Sequence, residues 1–171
     1  MMNIRSIPVS FIIDKLPLEW SDVLWGYKKA FLGWRSVIDI AKFIVSRGTE
    51  DFEAIELAGI TKDETWKISD LLEVLSDRHA NTSIKKSKEK WLFLILSWIY
   101  VNRSDYEDPL DMVEIVFEQF DCPKEIAGFV AFLPPTDGYD PTIHTLEENE
   151  ARLYKLWSKY IEDTQRYLSV R

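Results

Sequence analysis

The chain has 171 residues, 46% of them hydrophobic and 29% charged, with a formal net charge of −8. That length is one domain's worth on the usual range of roughly 100–200 residues, and a core of this size needs no disulfide or metal staple. The acidic balance argues against a nucleic-acid-binding surface, which demands clustered Lys and Arg.

In chain order, Val9-Ser10-Phe11-Ile12-Ile13 is too short for the apolar region of a secretory signal, which points to a cytoplasmic protein. Because Pro8 biases its predecessor away from helix, residues Ser6 to Ile13 read as a short extended segment covering the core. Trp20, Val23, Leu24, Tyr27 and Phe31 then recur at helical spacing, predicting a helix from Trp20 to Leu32 that stops at Gly33. Gly26 inside it costs about 1 kcal/mol relative to Ala, so a close helix crossing is its expected use. A helix from Arg35 to Arg47 with Gly48 as its C-terminal cap follows, then a short one from Asp51 to Ala58. Thr61-Lys62-Asp63-Glu64 is a capping-box pattern that opens a helix carrying Trp66, Ile68, Leu71, Leu72 and Leu75 and fraying near His79.

Ser87 to Asn102 is the centre of the design. Trp91, Leu92, Leu94, Ile95, Leu96, Trp98, Ile99 and Tyr100 leave almost no polar face, and a helix apolar all round is buried among other helices. A membrane span needs about 20 predominantly apolar residues, more than this stretch supplies. Lys85, Lys86, Lys88 and Lys90 before it mark an end that reaches water, while Trp91, Leu94, Ile95 and Trp98 are expected to be almost fully buried. Asp108-Pro109 pairs an N-cap residue with Pro at the first helical position of a helix to Phe120. A shorter helix restarts at Cys122-Pro123 and carries Ile126, Phe129, Val130 and Leu133. Pro134 to Pro141 is a turn-rich connection. Thr145-Leu146-Glu147-Glu148 is a second capping box, opening a last helix whose period is kept by Leu146, Leu153, Leu156, Trp157, Tyr160 and Leu168. The expected fold is all-α, a single-domain bundle (residues 1–171) of about eight helices around the buried central helix. The seven Trp, seven Tyr and nine Phe read as large core units.

Few residues point to chemistry. His79 and His144 lie far apart and neither has a second ligand one turn away, so no zinc or other metal site is expected. The lone Cys122 excludes an intramolecular disulfide, fits a reducing compartment and reads as a small buried hydrophobe. There is no GxSxG elbow and no glycine-rich phosphate loop, hence no expected cofactor and no catalytic motif. One acidic constellation has shape. Asp111, Glu114, Glu118 and Asp121 fall at i, i+3, i+7 and i+10, on one face if the helix runs to its end. Like charges at this spacing repel. They read either as a surface that docks a basic partner or as a solvated face of an acidic protein. The Pro134–Thr145 connection offers a different possibility, a pocket for a small molecule or an enzymatic site using Tyr139, Asp140, His144 and Arg152.

Pro17-Leu18-Glu19-Trp20, Leu24-Trp25-Gly26-Tyr27, Asp108-Pro109-Leu110, Phe120-Asp121-Cys122-Pro123 and Arg152-Leu153-Tyr154 together resemble a family of small acidic bacterial proteins of unknown function. The resemblance spans Leu16 to Tyr160 and implies a fold rather than an activity. The family in turn looks like the stand-alone immunity proteins of bacterial toxin systems, which implies a non-enzymatic cytosolic protein that binds a basic partner such as a toxin domain. From the acidic balance and the short apolar stretch, neither nucleic acid nor membrane is expected as a partner.

Overall fold

The computed structural model describes residues 7–170. Among these, every regular element is helical: eight α-helices and four short 3-10 helices, with no strand. The all-α expectation holds. By contacts the described chain divides into two compact units, residues 7–91 and 92–170, with the division falling inside one continuous helix.

In the first unit, α1 (Val9–Lys15) is a helix where an extended segment was expected; Ser6, the first residue of that expectation, lies outside the described residues. Pro8 sits at the N-cap, where its missing N–H costs nothing. Ile12 and Leu16, one turn apart, are both buried, and α1 packs on α3 (Trp34–Ser46). A one-turn apolar spacing inside a short β-branched run is ambiguous from sequence, and tertiary packing decides it.

Helix α2 (Trp20–Lys28) opens with the Glu19 backbone N–H donating to Asp22 Oδ2 at 2.8 Å. It ends earlier than the apolar spacing suggested. Ala30 adopts a left-handed conformation (φ 62°), and the N–H groups of Phe31 and Leu32 turn back to donate to the Gly26 carbonyl at 2.8 and 3.2 Å. This closure satisfies carbonyls that a helix end leaves open. Gly33 then serves as N-cap of α3, and Gly48 (φ 94°) ends that helix as expected.

Helix α4 (Phe52–Ala58) packs on α3 and on α5 (Ile68–Arg78), and α2 packs on α5. The expected capping box is present, with the Thr61 N–H donating to Glu64 Oε2 at 3.3 Å. It opens a 3-10 segment, Lys62–Lys67, ahead of α5. At three residues per turn the side chains rotate off the helical stripe, so Trp66, expected inward, is 72% exposed. Val23, Val37, Ile38, Ala41, Leu57, Leu72 and Leu75 form the buried interior of this unit.

Helix α6 (Ile84–Val101) is buried along Lys90 to Ser97 and again at Ile99. Trp91, Leu94 and Ile95 are fully buried, as expected, whereas Trp98 is only half-buried. A second departure is Lys90. Its stem and ammonium are buried, and Nζ donates to Asp22 Oδ2 at 2.6 Å. Ser87 Oγ donates to Asp22 Oδ1 at 2.6 Å, and the Trp91 indole N–H donates to the Asp22 carbonyl at 2.8 Å. A fully buried carboxylate is thus met on both oxygens, the condition under which burying a charge is tolerated. The indole of Trp91 also explains Gly26: a Cβ there would lie 2.3 Å from Trp91 Cζ2. The expected close crossing is real.

In the second unit, a 3-10 turn (Arg103–Asp105) leads to α7 (Pro109–Gln119). Asp108 caps α7 by accepting from the Leu110 and Asp111 N–H groups at 3.0 and 3.3 Å. A 3-10 segment, Lys124–Phe129, packs against both α7 and α8 (Leu146–Ser169). Trp157 of α8 is the hub. It is fully buried, stacks on Phe129 (6.1 Å between centroids, 6° between planes) and meets Tyr100 edge-on at 5.2 Å. Leu146 was expected to share that inward stripe but is 74% exposed, because it stands in the first turn of α8, ahead of the buried stretch.

Candidate functional site

The second unit carries a cleft of about 1130 Å³. Its walls come from the start of α7, the Lys124–Phe129 segment, the 131–137 connection and the first three turns of α8. Both groups of residues singled out from sequence reach it, and each only in part.

From the acidic ridge, Asp111 lines the cleft and is exposed. Glu118 is exposed on the same helix outside it, and Asp121 lies beyond the end of α7 in a left-handed turn (φ 60°), so it does not continue the face. Glu114 has a different job. Its carboxylate is half-buried and accepts a hydrogen bond from the Phe132 backbone N–H. Phe132 in turn packs edge-on against Phe117 at 6.1 Å. Burial first, then the charges of Asp111, Asp108 and Glu118, push the Glu114 carboxyl above the ordinary range, and the Phe132 N–H opposes them. Glu114 therefore anchors the connection that forms one wall.

From the second group, Tyr139 and Arg152 line the cleft, while Asp140 and His144 do not. The four residues nevertheless form one structure. His144 stacks on the Tyr139 ring (4.7 Å, 6°), and the Arg152 guanidinium sits 4.2 Å from the same ring. Arg152 Nη2 donates to Asp137 Oδ2 at 2.6 Å, holding the Asp137 carboxyl below its usual range. Tyr139 Oη donates to Asn149 Oδ1 at 2.6 Å, and Asn149 Nδ2 donates to the Pro141 carbonyl at 3.0 Å. Asp140 accepts from the Thr142 N–H at 2.9 Å and caps the 3-10 turn Pro141–Ile143. These bonds pin the connection to α8 and turn it into a rigid wall.

Sequence reasoning missed several lining residues: Glu125, Glu150, Phe132, Leu153 and Asn149. For α8 the signal was available. The Thr145–Glu148 box fixes where the helix starts, and Asn149, Leu153 and Leu156 then follow at i, i+4 and i+7 on one face. Nothing local marks Phe132, which is placed by Glu114 from another element. The lining carries five carboxylates (Asp108, Asp111, Glu125, Asp137, Glu150) against two cations, Lys124 and Arg152. Burial, followed by the charges of Asp108 and Glu150, holds the Tyr154 phenol protonated above its ordinary range, so the ends of α7 and α8 impose a common negative field there. Between the charges lie apolar surfaces: Phe132 is 54% exposed beside half-buried Leu133, Leu153 and Leu156.

Elsewhere, the first unit gathers Arg78, His79, Asp51 and Glu53. Arg78 donates to both Glu53 oxygens at 2.6 and 2.9 Å, and His79 Nε2 lies 2.7 Å from Asp51 Oδ2. Acidic groups at the start of α4 thus meet basic groups at the end of α5, the arrangement that helix dipoles favour. This cluster ties two helices together. Among the described residues no three or more His, Cys, Asp or Glu side chains gather as metal ligands. No described helix is long and apolar enough to cross a membrane.

The family model for an uncharacterized protein conserved in bacteria, DUF2247, matches residues 9–165. The chain belongs to the DUF2247 family. The match covers both units described above, so the family resemblance seen in the sequence is correct in its coarse form. No curated protein and no solved structure shows a significant match.

Proposed function

We propose that this DUF2247 protein is a non-enzymatic binding protein of the immunity or antitoxin type, which neutralises a basic protein partner such as a toxin domain. The observation that carries the reading is the cleft, where apolar side chains stand exposed between carboxylates that outnumber the cations. Protein interfaces combine an apolar centre with a polar rim in this way, and an excess of one charge steers a partner of the opposite sign. The alternative, a small-molecule site on the Pro134–Thr145 connection, is less well supported. Its cation, Arg152, is already committed to Asp137 and Tyr139, and its aromatic ring is already stacked.

Affinity capture from the bacterial host followed by mass spectrometry tests the reading, together with co-expression against toxins encoded beside the gene. A stoichiometric basic partner, bound with an association rate that falls as salt rises, is the expected result. Recovery of no such partner together with no protection would remove the immunity reading.

A further inference from the structure

We infer that the cleft receives a short polypeptide segment in which a large apolar side chain is flanked by lysine or arginine. The inference deepens the binding reading above and rests on it. Three independent features of the cleft lead to this occupant.

The first is size and openness. At about 1130 Å³ the cleft exceeds the 300–1,000 Å³ typical of small-molecule pockets, and its walls include exposed residues from both α7 and α8. That is room for a few consecutive residues of a chain. The second is the uncovered apolar surface. Among the lining residues Phe132 and Leu146 are 54% and 74% exposed, and Leu153 and Leu156 are half-buried. A side chain of Leu or Phe size seated in the cleft would remove part of this apolar surface from water, and such anchors dominate peptide recognition.

The third is charge. Asp137 is neutralised by Arg152, which leaves Asp108, Asp111, Glu125 and Glu150 opposed by Lys124 among the lining residues. Asp111 and Asp108 are set close together at the start of α7, and Glu150 lies in the second turn of α8. A cation brought between α7 and α8 relieves their mutual repulsion, whereas an acidic segment adds to it. The walls are preorganised for this: Glu114 holds the Phe132 backbone, and Asn149 with Arg152 holds Tyr139. A rigid cleft loses little entropy on binding.

The test is peptide display on the immobilised full chain, followed by fluorescence anisotropy with the synthesised hits. The expected consensus places Lys or Arg next to Leu, Phe or Trp. Two doubly substituted proteins, Asp111→Lys with Glu150→Lys and Phe132→Ser with Leu146→Ser, should each weaken binding about tenfold or more, a change of about 1.4 kcal/mol. All four positions are exposed, but Phe132 also packs on Phe117 and Asp111 lies in the first turn of α7, so binding is compared at a temperature where melts show each variant folded. As a check needing no variant, a hit carrying a photoreactive phenylalanine should label the wild-type protein within residues 131–137 or 146–156. No enriched peptides, an acidic consensus, labelling elsewhere, or affinity indifferent to both double substitutions would overturn the inference. Cleft-binding peptides without any host partner would instead remove the immunity reading and leave the cleft assignment standing. A host partner whose affinity ignores both double substitutions would do the opposite.

Discussion

Helix propensity makes a wrong forecast at Gly26 inside α2 and at Ala30 just past its end, and the pair can be tested together. Gly26→Ala should stabilise an isolated helix by about 1 kcal/mol. Here the new Cβ would stand 2.3 and 2.5 Å from Trp91 Cζ2 and Cε2, distances that require something to move. Trp91 is fully buried and its indole N–H donates to the Asp22 carbonyl at 2.8 Å, so the ring cannot swing away cheaply. Overpacking of this kind costs about 1–3 kcal/mol, and loss of the indole hydrogen bond adds about 1 kcal/mol. Against the propensity gain, a net loss of about 1–3 kcal/mol remains. For a chain of this length that lowers Tm by roughly 2–4 °C per kcal/mol. Ala30→Gly should do the reverse: Ala30 sits at φ 62°, where glycine is at ease, and the change should add up to about 1 kcal/mol. Thermal unfolding followed by circular dichroism checks both. The decisive control is a double-mutant cycle with Trp91→Leu, since in that background Gly26→Ala should become neutral or stabilising. A Gly26→Ala protein that melts at or above the wild-type temperature would falsify the close-crossing account.

Asp22→Ala leaves the buried Lys90 ammonium without its partner, and the expected loss is about 3–5 kcal/mol by chemical denaturation. Hydrogen bonds from Arg78, first among its causes, pull the Glu53 carboxyl down to about 2. A lowered carboxylate stabilises the fold above its unfolded pKa and loses that contribution as pH falls through the folded one. Tm should therefore decline between about pH 4.5 and pH 2, and less steeply in Arg78→Met, as thermal melts across that range would show. Glu114 has the opposite sign: its raised carboxyl means the folded protein holds the proton more tightly, so stability falls as pH rises just above the ordinary glutamate range. Glu114→Gln should flatten that part of the profile, and a profile unchanged by the substitution would refute the assignment.

What the sequence made legible follows from how local each cause is. The two capping boxes, the Asp108-Pro109 start and the Gly48 stop are complete within a few residues, and all appear where the pattern placed them. Gly26 was legible as an anomaly, a helix breaker in a good helix, although its partner Trp91 was not. The misreadings share a different cause. Lys90 lies at the end of a lysine run that looks solvated, and only Asp22, 68 residues away, makes its burial possible. Trp66 obeyed helical spacing from a segment that folded as 3-10. Ser6 to Ile13 read as extended because β-branched residues over one or two turns carry both patterns, and a neighbouring helix chose between them.

The cleft follows the same division. Its charges were visible as a face of α7, but spacing alone could not say that one of them would be spent on structure. Glu114 occupies the middle of the expected ridge and turns inward to hold Phe132, while Asp121 leaves the helix altogether. The consequence is that the acidic surface is not a continuous stripe along α7. Its carboxylates are drawn from three elements around the cleft: Asp108 and Asp111 at the start of α7, Glu150 on α8 and Glu125 on the 3-10 segment between them in the chain. A stripe would attract any polycation along its length. Carboxylates set among exposed apolar side chains favour a partner that brings cation and apolar anchor together, because either alone leaves the other part of the cleft unmatched. The same geometry disfavours an anion, since Arg152 would have to break from both Asp137 and Tyr139 to meet it.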